Sequence, residues 1–399
     1  MKKTVKDIDI KNKKVIMRVD FNVPLDKETN SKITDTTRVD AAMPTIEYIL
    51  SQGASLILMS HLGRPKGEAN PKYSLKPVYD YLKTKLTNNK VLFANDCIGD
   101  EVKKMASSLN AGDVLLLENL RYHAEEEKND ANFSKQLSDL ADVYVNDAFG
   151  TAHRAHASTA GIVSAKPSMP AVAGFLMEKE IKYLGDAVAD PKRPFVAIIG
   201  GAKVSSKISV LKNLLNKVDT LIIVGGMAYT FLKAKGYEIG ASLCEDDYIQ
   251  TAKEIMDKAK ELNKTLYLPV DNIIADKFDN DANRKTVDSD SIPQGWMGMD
   301  VGEKTLKELE NILKDAKTVV WNGPLGVFEM SNFAKGTFEV AKFIANSGAV
   351  SIIGGGDSVS AVNKSGVADK MTHISTGGGA SLEFLEGIEL PGIKVLQDK

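Results

Sequence analysis

Short runs of branched apolar residues recur along the whole chain, and segments with helical spacing separate them. The first half carries five of these runs, "KKVIMRVDFN", "GASLILMSHLGR", "NKVLFAND", "GDVLLLENLR" and "ADVYVNDAFG". The second half carries six, "RPFVAIIGGAK", "DTLIIVGGM", "KTLYLPVDN", "KTVVWNGP", "GAVSIIGGGD" and "MTHISTGGG". Continuous Val, Ile and Leu runs are typical of strands buried on both faces, and their alternation with helices predicts parallel α/β sheets.

The length of 399 residues predicts two domains, because one hydrophobic core rarely organises so long a chain. We place the break in "SAKPSMPAVAG", residues 164–174, where prolines and small residues interrupt the pattern. The predicted fold class is α/β, with two Rossmann-like domains at residues 1–170 and 171–386, each a mainly parallel sheet covered by helices. One of the helices is predicted in "VSSKISVLKNLLNKV", where an apolar stripe starts at Val204.

Composition limits the classes of partner. A formal net charge of −2 gives no overall attraction to nucleic acid or anionic membranes, so small molecules bound at local clusters are the expected partners. The chain shows no secretion signal and no stretch near the roughly 18 apolar residues of a membrane span, so a cytoplasmic location is expected. Cys97 and Cys244 are the only cysteines and are expected to be buried, reduced thiols. No apolar surface stripe predicts an interface, so a monomer is expected.

Ligands of open parallel sheets bind beyond the carboxyl ends of the strands, so the residues that follow each apolar run matter most. The first-half runs finish in Arg, Asp, Asn and His, and we call these strand ends the basic edge. The second-half runs finish mostly in glycine, and we call these strand ends the glycine edge. The basic edge offers cationic side chains, whereas the glycine edge offers bare backbone amides.

The glycine edge contains four stretches in which a strand leads through glycine into a helix: "IIGGAKVSSK" (198–207), "IIVGGMAYTF" (222–231), "IIGGGDSVSA" (352–361) and "ISTGGGASLE" (374–383). Unpaired amides at a helix start bind anions. Glycine also permits close packing of helix on strand, but four such turns favour phosphate. Neither GxxxxGK[ST] nor GxGxxG occurs in these stretches, which disfavours a P-loop or a dinucleotide site.

Charged and polar residues beside these turns are candidates for a nucleotide site. Lys203 and Lys207 lie one turn apart at a predicted helix start, where cations oppose the helix dipole. They suggest a clamp on a polyphosphate, although exposed lysines tolerate such positions in water. Asp357 follows three glycines and could ligate Mg²⁺, cap the helix, or do both. Asn322 and Glu329, in "WNGPLGVFE", could bond a base or a ribose.

The basic edge concentrates histidine and arginine. Four of the five histidines lie in the first half, and all four stand close to an arginine, in the three motifs "SHLGRP", "LRYH" and "TAHRAH". Arg38 adds a further arginine near a strand end. Because the planar guanidinium binds carboxylate and phosphate oxygens bidentately, this edge predicts a small, highly anionic ligand.

Three other features of the first half have simpler interpretations. His153 and His156 form an HxxH, but Arg154 between them would repel a metal cation. The acidic run "AEEEKND" (124–130) is expected to be a solvated helix start without a catalytic role. Arg18 is expected to be a strand residue with its charged end at the surface.

Eight motifs, in order along essentially the whole chain, resemble those of the phosphoglycerate kinase family. They are "RVDFNVPLD", "SHLGRPKG", "LLLENLRYHAEEEKND", "VNDAFGTAHRAHAST", "GGAKVSSKI", "VVWNGPLGVFE", "GGGDSVSAV" and "STGGGASLEFLEGIELPGI". The resemblance implies two domains that face each other across a cleft with a hinge, and a C-terminal segment, residues 387–399, that returns to the first domain. It also implies reversible phosphoryl transfer from 1,3-bisphosphoglycerate to MgADP, giving 3-phosphoglycerate and MgATP.

The resemblance also implies roles for residues of both edges. The residues implied to hold 3-phosphoglycerate in the first domain are Asp20, Asn22, Arg38, His61, Leu62, Gly63, Arg64, Arg121 and Arg154. The residues implied to hold the nucleotide in the second domain are Lys207, Gly298, Asn322, Glu329, Gly355, Gly356, Asp357 and Ser358, with Asp357 at the Mg²⁺. The residues implied to be catalytic, by binding the phosphoryl group in transfer, are Arg38, Lys203, Gly377, Gly378 and Gly379.

The implied reaction needs no general base, because a carboxylate acceptor is already ionised near neutral pH. Alignment and charge stabilisation in a closed cleft would then supply the catalysis. Ser206 departs from the family, since many members have an aspartate before the second lysine, and a local ion pair would be missing. Two other classes stay open, a non-catalytic anion-binding protein on the same scaffold and a kinase for another carboxylate or a sugar phosphate.

Overall fold

The computed structural model describes residues 1–399, except for the side chains of residues 186 and 187. The chain forms two compact units, one of residues 1–181 with 389–399 and one of residues 182–388. The first unit continues past residue 170, where we expected the break, because a short strand at 171–173 completes its sheet. Sequence patterning missed this strand, since its Ala-Val-Ala sequence directly follows a proline and carries almost no apolar signal.

The first unit is built on a six-stranded sheet in which all neighbouring strands are parallel. Its strands are β1 (Lys14–Arg18), β2 (Ser55–Met59), β3 (Val91–Phe93), β4 (Val114–Leu116), β5 (Val143–Asn146) and β6 (Ala171–Ala173). Their order across the sheet is β3-β4-β2-β1-β5-β6. Every residue of β2 is buried, as expected of a central strand in a parallel sheet.

Helices connect the strands of the first unit. They are α1 (Thr37–Ser51), α2 (Lys76–Lys85), α3 (Asp100–Ser107), α4 (Ala124–Glu127), α5 (Ala131–Ser138), α6 (Ile162–Ala165) and α7 (Phe175–Glu180). Shorter turns of 3₁₀ type lie at Val5–Asp7, Pro71–Tyr73, Leu120–Tyr122 and Phe149–Thr151, and a π-helical turn lies at Ala157–Gly161. Helix and sheet share one core, to which Val15, Ile46 and Leu58 belong. Burial of each such side chain contributes about 1.5–3 kcal/mol.

The second unit has its own six-stranded parallel sheet and two small sheets. Its strands are β7 (Phe195–Ile199), β8 (Thr220–Ile223), β9 (Glu238–Ile239), β10 (Thr265–Tyr267), β11 (Asp271–Ala275), β12 (Arg284–Asp288), β13 (Ser291–Ile292), β14 (Met297–Val301), β15 (Thr318–Asn322), β16 (Val350–Gly354) and β17 (His373–Ile374). The main sheet has the order β10-β8-β7-β15-β16-β17, and β12-β11-β14 form an antiparallel sheet. Both main sheets are parallel and contain the apolar runs singled out in the sequence, so the predicted α/β fold is confirmed.

The helices of the second unit follow the same alternation. They are α8 (Ala187–Ala189), α9 (Ile208–Leu215), α10 (Met227–Ala234), α11 (Ile249–Glu261), α12 (Glu303–Asp315), α13 (Lys335–Ser347), α14 (Gly356–Lys364) and α15 (Gly379–Leu385). Additional 3₁₀ turns lie at Asp246–Tyr248, Ser331–Phe333 and Ala368–Lys370, and a π-helical turn at Ile181–Asp186 precedes α8.

Helix α9 starts at Ile208, later than the apolar stripe from Val204 predicts. The residues expected to form its first turn are not helical. The carboxylate of Glu245 accepts hydrogen bonds from the amide and the hydroxyl of Ser205, at 3.0 and 2.6 Å. Val204 is buried, but the helix begins only at Ile208. Lys203 and Lys207 therefore precede the helix, and the expectation that they lie on its first turns was wrong.

The C-terminal segment packs within the first unit. Helix α16 (Pro391–Lys394) contributes the carbonyl of Gly392, which accepts a hydrogen bond from Asn146 Nδ2 at 3.0 Å, and the amide of Gly392 donates to Ala152 O at 2.8 Å. The last residues pair with the first, with Lys2 bridged to Asp398. The two ends of the chain thus meet in one unit.

Two further sequence expectations concern membranes and cysteines. Among the helices of the described chain, none combines the length and the apolar character that crossing a membrane requires. Both thiols are free. Cys97 is buried as expected, but Cys244 is partly exposed, because it lies in the loop before α11 rather than in a core.

Candidate active site

The residues predicted at the basic edge lie on loops that follow neighbouring strands of the first sheet. Asp20 and Asn22 follow β1, and residues 61–64 follow β2. Arg121 lies in the 3₁₀ turn after β4, and Arg154 lies beyond β5. Because β4, β2, β1 and β5 are consecutive across the sheet, the topology brings these loops together at its carboxyl edge.

Two contacts order the loop after β1. Arg38, the second residue of α1, places Nη1 at 2.6 Å from Asp20 Oδ2. Asn22 Oδ1 accepts a hydrogen bond from the amide of Gly63 at 2.9 Å, which ties this loop to the loop after β2. The Asp20 side chain is only 11% exposed, whereas that of Arg38 is 38% exposed. Asp20 therefore holds Arg38, and Asn22 holds the loop at Gly63. Part of the Arg38 guanidinium stays exposed and can bind an anion.

Gly63 connects a second pair of loops. Its φ is +61°, and a Cβ at this position would lie 2.5 Å from Tyr73 Cδ1, so the turn requires glycine. Its carbonyl accepts a hydrogen bond from Arg121 Nη1 at 2.9 Å. The Leu62 side chain is buried and its carbonyl accepts from Asn119 Nδ2 at 2.7 Å, so both groups hold the loop in place, and the contact of Leu62 with 3-phosphoglycerate stays a prediction.

Positive charges crowd His61, which is buried. Burial, together with the charges of Arg18 and Arg121, lowers the pKa of His61 well below its usual value. His61 is therefore neutral at physiological pH. Arginine carries only hydrogen-bond donors, so the cluster around His61 is suited to an anionic ligand.

The remaining arginines of the basic edge are more open. Arg64 is exposed, and Arg154 is partly buried with its Nε donating to His153 Nε2 at 3.2 Å.

The side chains that could together hold a metal ion do not include the HxxH of His153 and His156. Within the residues that the structure describes, a group of three possible ligand side chains occurs only at Asp96, Cys97 and His123.

A close contact links two side chains of that group. His123 Nε2 lies 2.6 Å from Asp96 Oδ1, and Asp96 raises the pKa of His123. Burial raises the pKa of the Cys97 thiol, which disfavours the thiolate that a metal would bind. The geometry is that of an ion pair beside a buried thiol.

The second unit contains a cleft of about 490 Å³ at the glycine edge. Its lining combines glycine backbone, apolar side chains and two carboxylates: Gly201, Ala202, Gly225, Gly226, Tyr229, Ala241, Leu243, Phe278, Met297, Gly298, Met299, Pro324, Leu325, Gly326, Val327, Glu329 and Asp357. Apolar walls with a few polar groups suit a flat aromatic ring that carries a polar substituent. Of the predicted nucleotide residues, Gly298, Glu329 and Asp357 line this cleft.

A larger hollow of about 800 Å³ lies beside α11 and β10 in the same unit. Its lining includes Lys253, Lys260 and Lys264 but none of the residues that the sequence predicted for the site. It is therefore separate from the glycine edge.

Lys207 and Asn322 contact each other rather than the open cleft. Lys207 Nζ lies 2.7 Å from Asn322 Oδ1 and 2.6 Å from the carbonyl of Gly200. Burial lowers the pKa of Lys207 to about 8, and the charge of Asp357 opposes this shift in part. Asn322 is buried and its Oδ1 accepts from Lys207, so in this structure its side chain holds Lys207, and its contact with a base or ribose stays a prediction.

The glycines of the glycine edge divide into two classes. A Cβ on Gly200 would lie 2.2 Å from the carbonyl of Pro324, and one on Gly225 would lie 2.7 Å from the amide of Gly201. Close backbone packing therefore accounts for these two turns. A Cβ on Gly356 or Gly378 would meet no atom within 4 Å, so these turns present open backbone that packing does not explain.

The open glycines adjoin charged groups on the surface of this unit. Gly356 begins α14 beside Asp357, which is exposed, and Gly378 precedes α15, whose first residue is Gly379. Lys203 is also exposed. Ser358 is buried, and its Oγ accepts a hydrogen bond from the amide of Gly323 at 2.6 Å. The Ser358 side chain thus fastens a neighbouring loop, and only its backbone remains available to a ligand.

Known proteins of one family match this chain over its whole length. The family model described as phosphoglycerate kinase matches residues 5–388. The chain belongs to the phosphoglycerate kinase family. A curated phosphoglycerate kinase of Clostridium botulinum is 58% identical over 400 residues, covering 100% of this chain and 99% of that protein. One of Leptospira biflexa is 57% identical over 391 residues, covering 98% of this chain and 97% of that protein.

Solved structures agree with the sequence matches. The structure of phosphoglycerate kinase from Coxiella burnetii has a TM-score of 0.90 at 41% identity and covers 99% of this chain and 98% of its own. The structure from Pyrococcus horikoshii OT3 has a TM-score of 0.81 at 35% identity, with 98% of both chains covered. The resemblance seen in the sequence is confirmed, and the chain is a glycolytic phosphotransferase of the phosphoglycerate kinase family.

Two expectations for the basic edge were wrong. Arg18 is fully buried at the end of β1 rather than exposed at the surface, because its guanidinium is bonded by Ser158 and His61. Glu126, expected in a solvated helix start, is also fully buried and bonds Ser158. The position of Arg18 directly after the apolar residues 15–17 of β1 was the signal available in the sequence, whereas the run of three glutamates gave no sign that Glu126 is buried.

Proposed function

We propose that the chain catalyses the reversible transfer of a phosphoryl group from 1,3-bisphosphoglycerate to MgADP, giving 3-phosphoglycerate and MgATP. The basic edge carries this proposal. It gathers Arg38, at the start of α1, with Arg121 and a neutral His61 on loops, and hydrogen bonds already hold these groups in place, which suits a small polyanion. The remaining predicted contacts with 3-phosphoglycerate, from Asp20 to Arg154, lie on the same set of loops.

The glycine edge supports the nucleotide side of the proposal. The apolar cleft is suited to the base and ribose, with Gly298 and Glu329 in its wall. Gly298 needs to be glycine there, because a Cβ would lie 1.8 Å from Tyr229 Oη. The polyphosphate would extend past Lys207 towards Gly355, Gly356 and the start of α14, where backbone amides are unpaired.

Asp357 fits the divalent metal that a nucleotide brings. Its carboxylate is exposed, lines the cleft, and stands beside the amides where phosphates would bind. Carboxylate oxygen is the ligand that Mg²⁺ prefers. Mg²⁺, when bound with the nucleotide, would neutralise charge on the phosphate oxygens.

Catalysis requires alignment and charge stabilisation, not a general base. The acceptor carboxylate of 3-phosphoglycerate is ionised near neutral pH, so no proton has to be removed. We propose in-line transfer in which Arg38, Lys203 and the amides of residues 377–379 stabilise the charge on the phosphoryl oxygens. Arg38 is oriented for this role by Asp20.

Separate binding measurements test the assignment of the two edges. Calorimetric titration of Arg121→Met with 3-phosphoglycerate is expected to show much weaker binding, while MgATP binds as in the unchanged protein. Asp357→Asn is expected to bind MgATP much more weakly and 3-phosphoglycerate as the unchanged protein does. Each variant is therefore the control for the other. Loss of both ligands in either variant, or of neither, would contradict the assignment.

We further propose that both ligands together cause the two units to close and exclude water, because the proposed half-sites lie in different units. Small-angle scattering is expected to give a smaller radius of gyration with both ligands than with either one. An unchanged radius of gyration with both ligands bound would exclude closure.

We also propose that the enzyme is located in the cytoplasm and that it is a monomer.

Nucleotide binding is expected to be coupled to protonation of Lys207. The pKa of Lys207 is about 8 without ligand, and a bound polyphosphate would raise it by favouring the charged amine. Below this pKa the amine is already charged, so net proton uptake on ATP binding should appear only as the pH rises above about 8. Calorimetry in buffers of different ionisation enthalpy measures the uptake.

Lys207→Arg is the matched control for this experiment. Because a guanidinium stays charged throughout, the variant should bind ATP without the additional proton uptake. Equal uptake in the variant and the unchanged protein would assign the proton to another group. Absence of uptake above pH 8 in the unchanged protein would contradict the role of Lys207.

Ser206→Asp is expected to leave turnover within the same order of magnitude. Ser206 is exposed, its Oγ donates to the carbonyl of Lys203 at 2.9 Å, and Lys207 Nζ is engaged elsewhere by Asn322. A carboxylate at residue 206 would therefore interact mainly with the exposed amine of Lys203, and an ion pair in solvent contributes little. Steady-state kinetics of Ser206→Asp and Ser206→Ala check this. A loss of tenfold or more, about 1.4 kcal/mol of barrier, only in the aspartate variant would contradict it.

A further inference from the structure

Arg18 makes an unusual contact for a fully buried arginine. It is the last residue of β1, and no part of its side chain is exposed. Its Nη2 lies 3.1 Å from Nδ1 of His61, and its Nη1 donates to the carbonyl of Val19. A guanidinium can donate hydrogen bonds but cannot accept them. In this contact His61 Nδ1 must therefore be the acceptor.

The acceptor role of Nδ1 determines the state of the whole ring. An imidazole nitrogen that accepts carries no proton, so the proton of neutral His61 is on Nε2. Protonation at Nδ1 would place two donors against each other. Burial and the charges of Arg18, Arg121, Arg38 and His156 also oppose an imidazolium, and they lower the pKa of His61.

A chain of hydrogen bonds holds Arg18 in the required orientation. Arg18 Nε donates to Ser158 Oγ at 2.8 Å. Ser158 Oγ in turn donates to Glu126 Oε1 at 2.5 Å, and the Ser158 amide donates to Glu126 Oε2 at 2.9 Å. All three side chains are fully buried. The positive charge of Arg18 is thus balanced, through one hydroxyl, by a carboxylate from α4.

The charge of Glu126 is set by groups on several elements. Burial raises the pKa of Glu126, whereas the charges of Arg18 and Arg121 and the hydrogen bonds from Ser158 lower it. His156 Nδ1 lies 3.9 Å from Glu126 Oε1. The net effect is a raised pKa, but the hydrogen bonds indicate a carboxylate, because Ser158 Oγ accepts from Arg18 Nε and donates to Glu126 Oε1 while the Ser158 amide donates to Oε2.

We propose that Arg18 is a positioning residue that fixes His61 as the neutral tautomer protonated on Nε2, and that Ser158 and Glu126 hold Arg18 in place for this purpose. The inference rests on the proposed function in one respect, namely that His61 contacts 3-phosphoglycerate. His61 then supplies one hydrogen-bond donor with a fixed direction. It discriminates in favour of an acceptor oxygen at that point of the ligand and against a hydroxyl that must donate.

The tautomer can be measured on the unchanged protein without any ligand. Long-range proton–nitrogen NMR of protein labelled with ¹⁵N-histidine, with His61→Gln to assign the signal, reports which ring nitrogen is protonated. A pyrrole-type Nε2 and a pyridine-type Nδ1 are expected near neutral pH. An Nδ1-protonated ring, or an imidazolium, would overturn the proposal. The outcome does not depend on whether the chain binds 3-phosphoglycerate.

Variants test whether Arg18 is responsible. Arg18→Met alone leaves Glu126 as an uncompensated buried charge and can fail to fold, so the informative variant is Arg18→Met with Glu126→Gln, which removes both charges. Its His61 signal is expected to show the Nδ1-protonated tautomer or a mixture. An unchanged Nε2 tautomer in a folded double variant would show that Arg18 does not determine it.

Ligand binding then tests the consequence for recognition. Because the amide of glutamine can reach the position of Nε2 and that of asparagine cannot, His61→Gln is expected to bind 3-phosphoglycerate at least tenfold more tightly than His61→Asn. Equal affinities of the two variants, when the unchanged protein binds 3-phosphoglycerate, would overturn the donor role. If the unchanged protein does not bind 3-phosphoglycerate, the proposed function fails, while the tautomer measurement still decides the role of Arg18.

Discussion

Arg38→Ala is expected to lower the rate of phosphoryl transfer roughly 100- to 1,000-fold, the usual effect of removing one preorganised donor from a transition state. The guanidinium is fixed by a 2.6 Å contact with Asp20 but keeps more than a third of its side chain exposed. Its interaction with the phosphoryl oxygens would be strongest when charge is being transferred, so the loss should fall mainly on kcat rather than on KM. Steady-state kinetics with both substrates varied separate the two.

Two controls define this prediction. Arg193→Ala removes another exposed arginine, which pairs with Asp219 in the second unit, and should leave kcat unchanged. Asp20→Asn keeps Arg38 but removes the carboxylate that orients it, and an intermediate loss is expected. If Arg38→Ala raised only the KM for 3-phosphoglycerate, Arg38 would be a binding residue without a role in transfer.

Glu126→Ala is expected to destabilise the first unit by about 3–5 kcal/mol, the cost of leaving a buried charge without its counter-charge. Arg18 has no exposed surface and cannot turn to solvent when the carboxylate is removed. Ser158 would also lose the acceptor for its hydroxyl and for its amide. The loss therefore exceeds that of an ordinary hydrogen bond, which is about 0.5–1.5 kcal/mol.

Denaturant unfolding followed by probes placed in each unit measures this effect, because the chain has two units and a single transition cannot be assumed. Glu125→Ala, on the same turn of acidic residues but not buried, is the matched control and should change stability by less than about 0.5 kcal/mol. Equal stabilities of the two variants would show that Glu126 does not compensate Arg18.

The sequence predicted the parts of the fold that local periodicity specifies. The apolar runs became the strands of two parallel sheets, and the change from basic to glycine-rich strand ends separated the two units. It did not predict β6, whose position at the edge of the first sheet depends on pairing with β5. The antiparallel strands β11, β12 and β14 were also missed, because their register is set by one another rather than by a helix-strand alternation.

The candidate site shows a similar division. Motifs identified Arg38, Arg121 and Asp357, whose chemistry is visible in the residue type. They could not distinguish Gly200, which close packing requires, from Gly378, which faces open space. They also placed Lys203 and Lys207 in the first turns of α9, but the helix begins only at Ile208, after the segment in which Ser205 is bound to Glu245. Such outcomes depend on contacts between residues far apart in the chain, and sequence spacing does not specify these contacts.

The most direct test of the account is acyl phosphate formation from MgATP and 3-phosphoglycerate, coupled to NADH oxidation by glyceraldehyde-3-phosphate dehydrogenase. We expect turnover in the unchanged protein and a fall by orders of magnitude in both Arg38→Ala, at the basic edge, and Lys203→Ala, at the glycine edge. Loss in both would show that each edge contributes to one reaction. No turnover by a folded protein that still binds MgATP would contradict the account and leave the basic edge with a different anionic ligand.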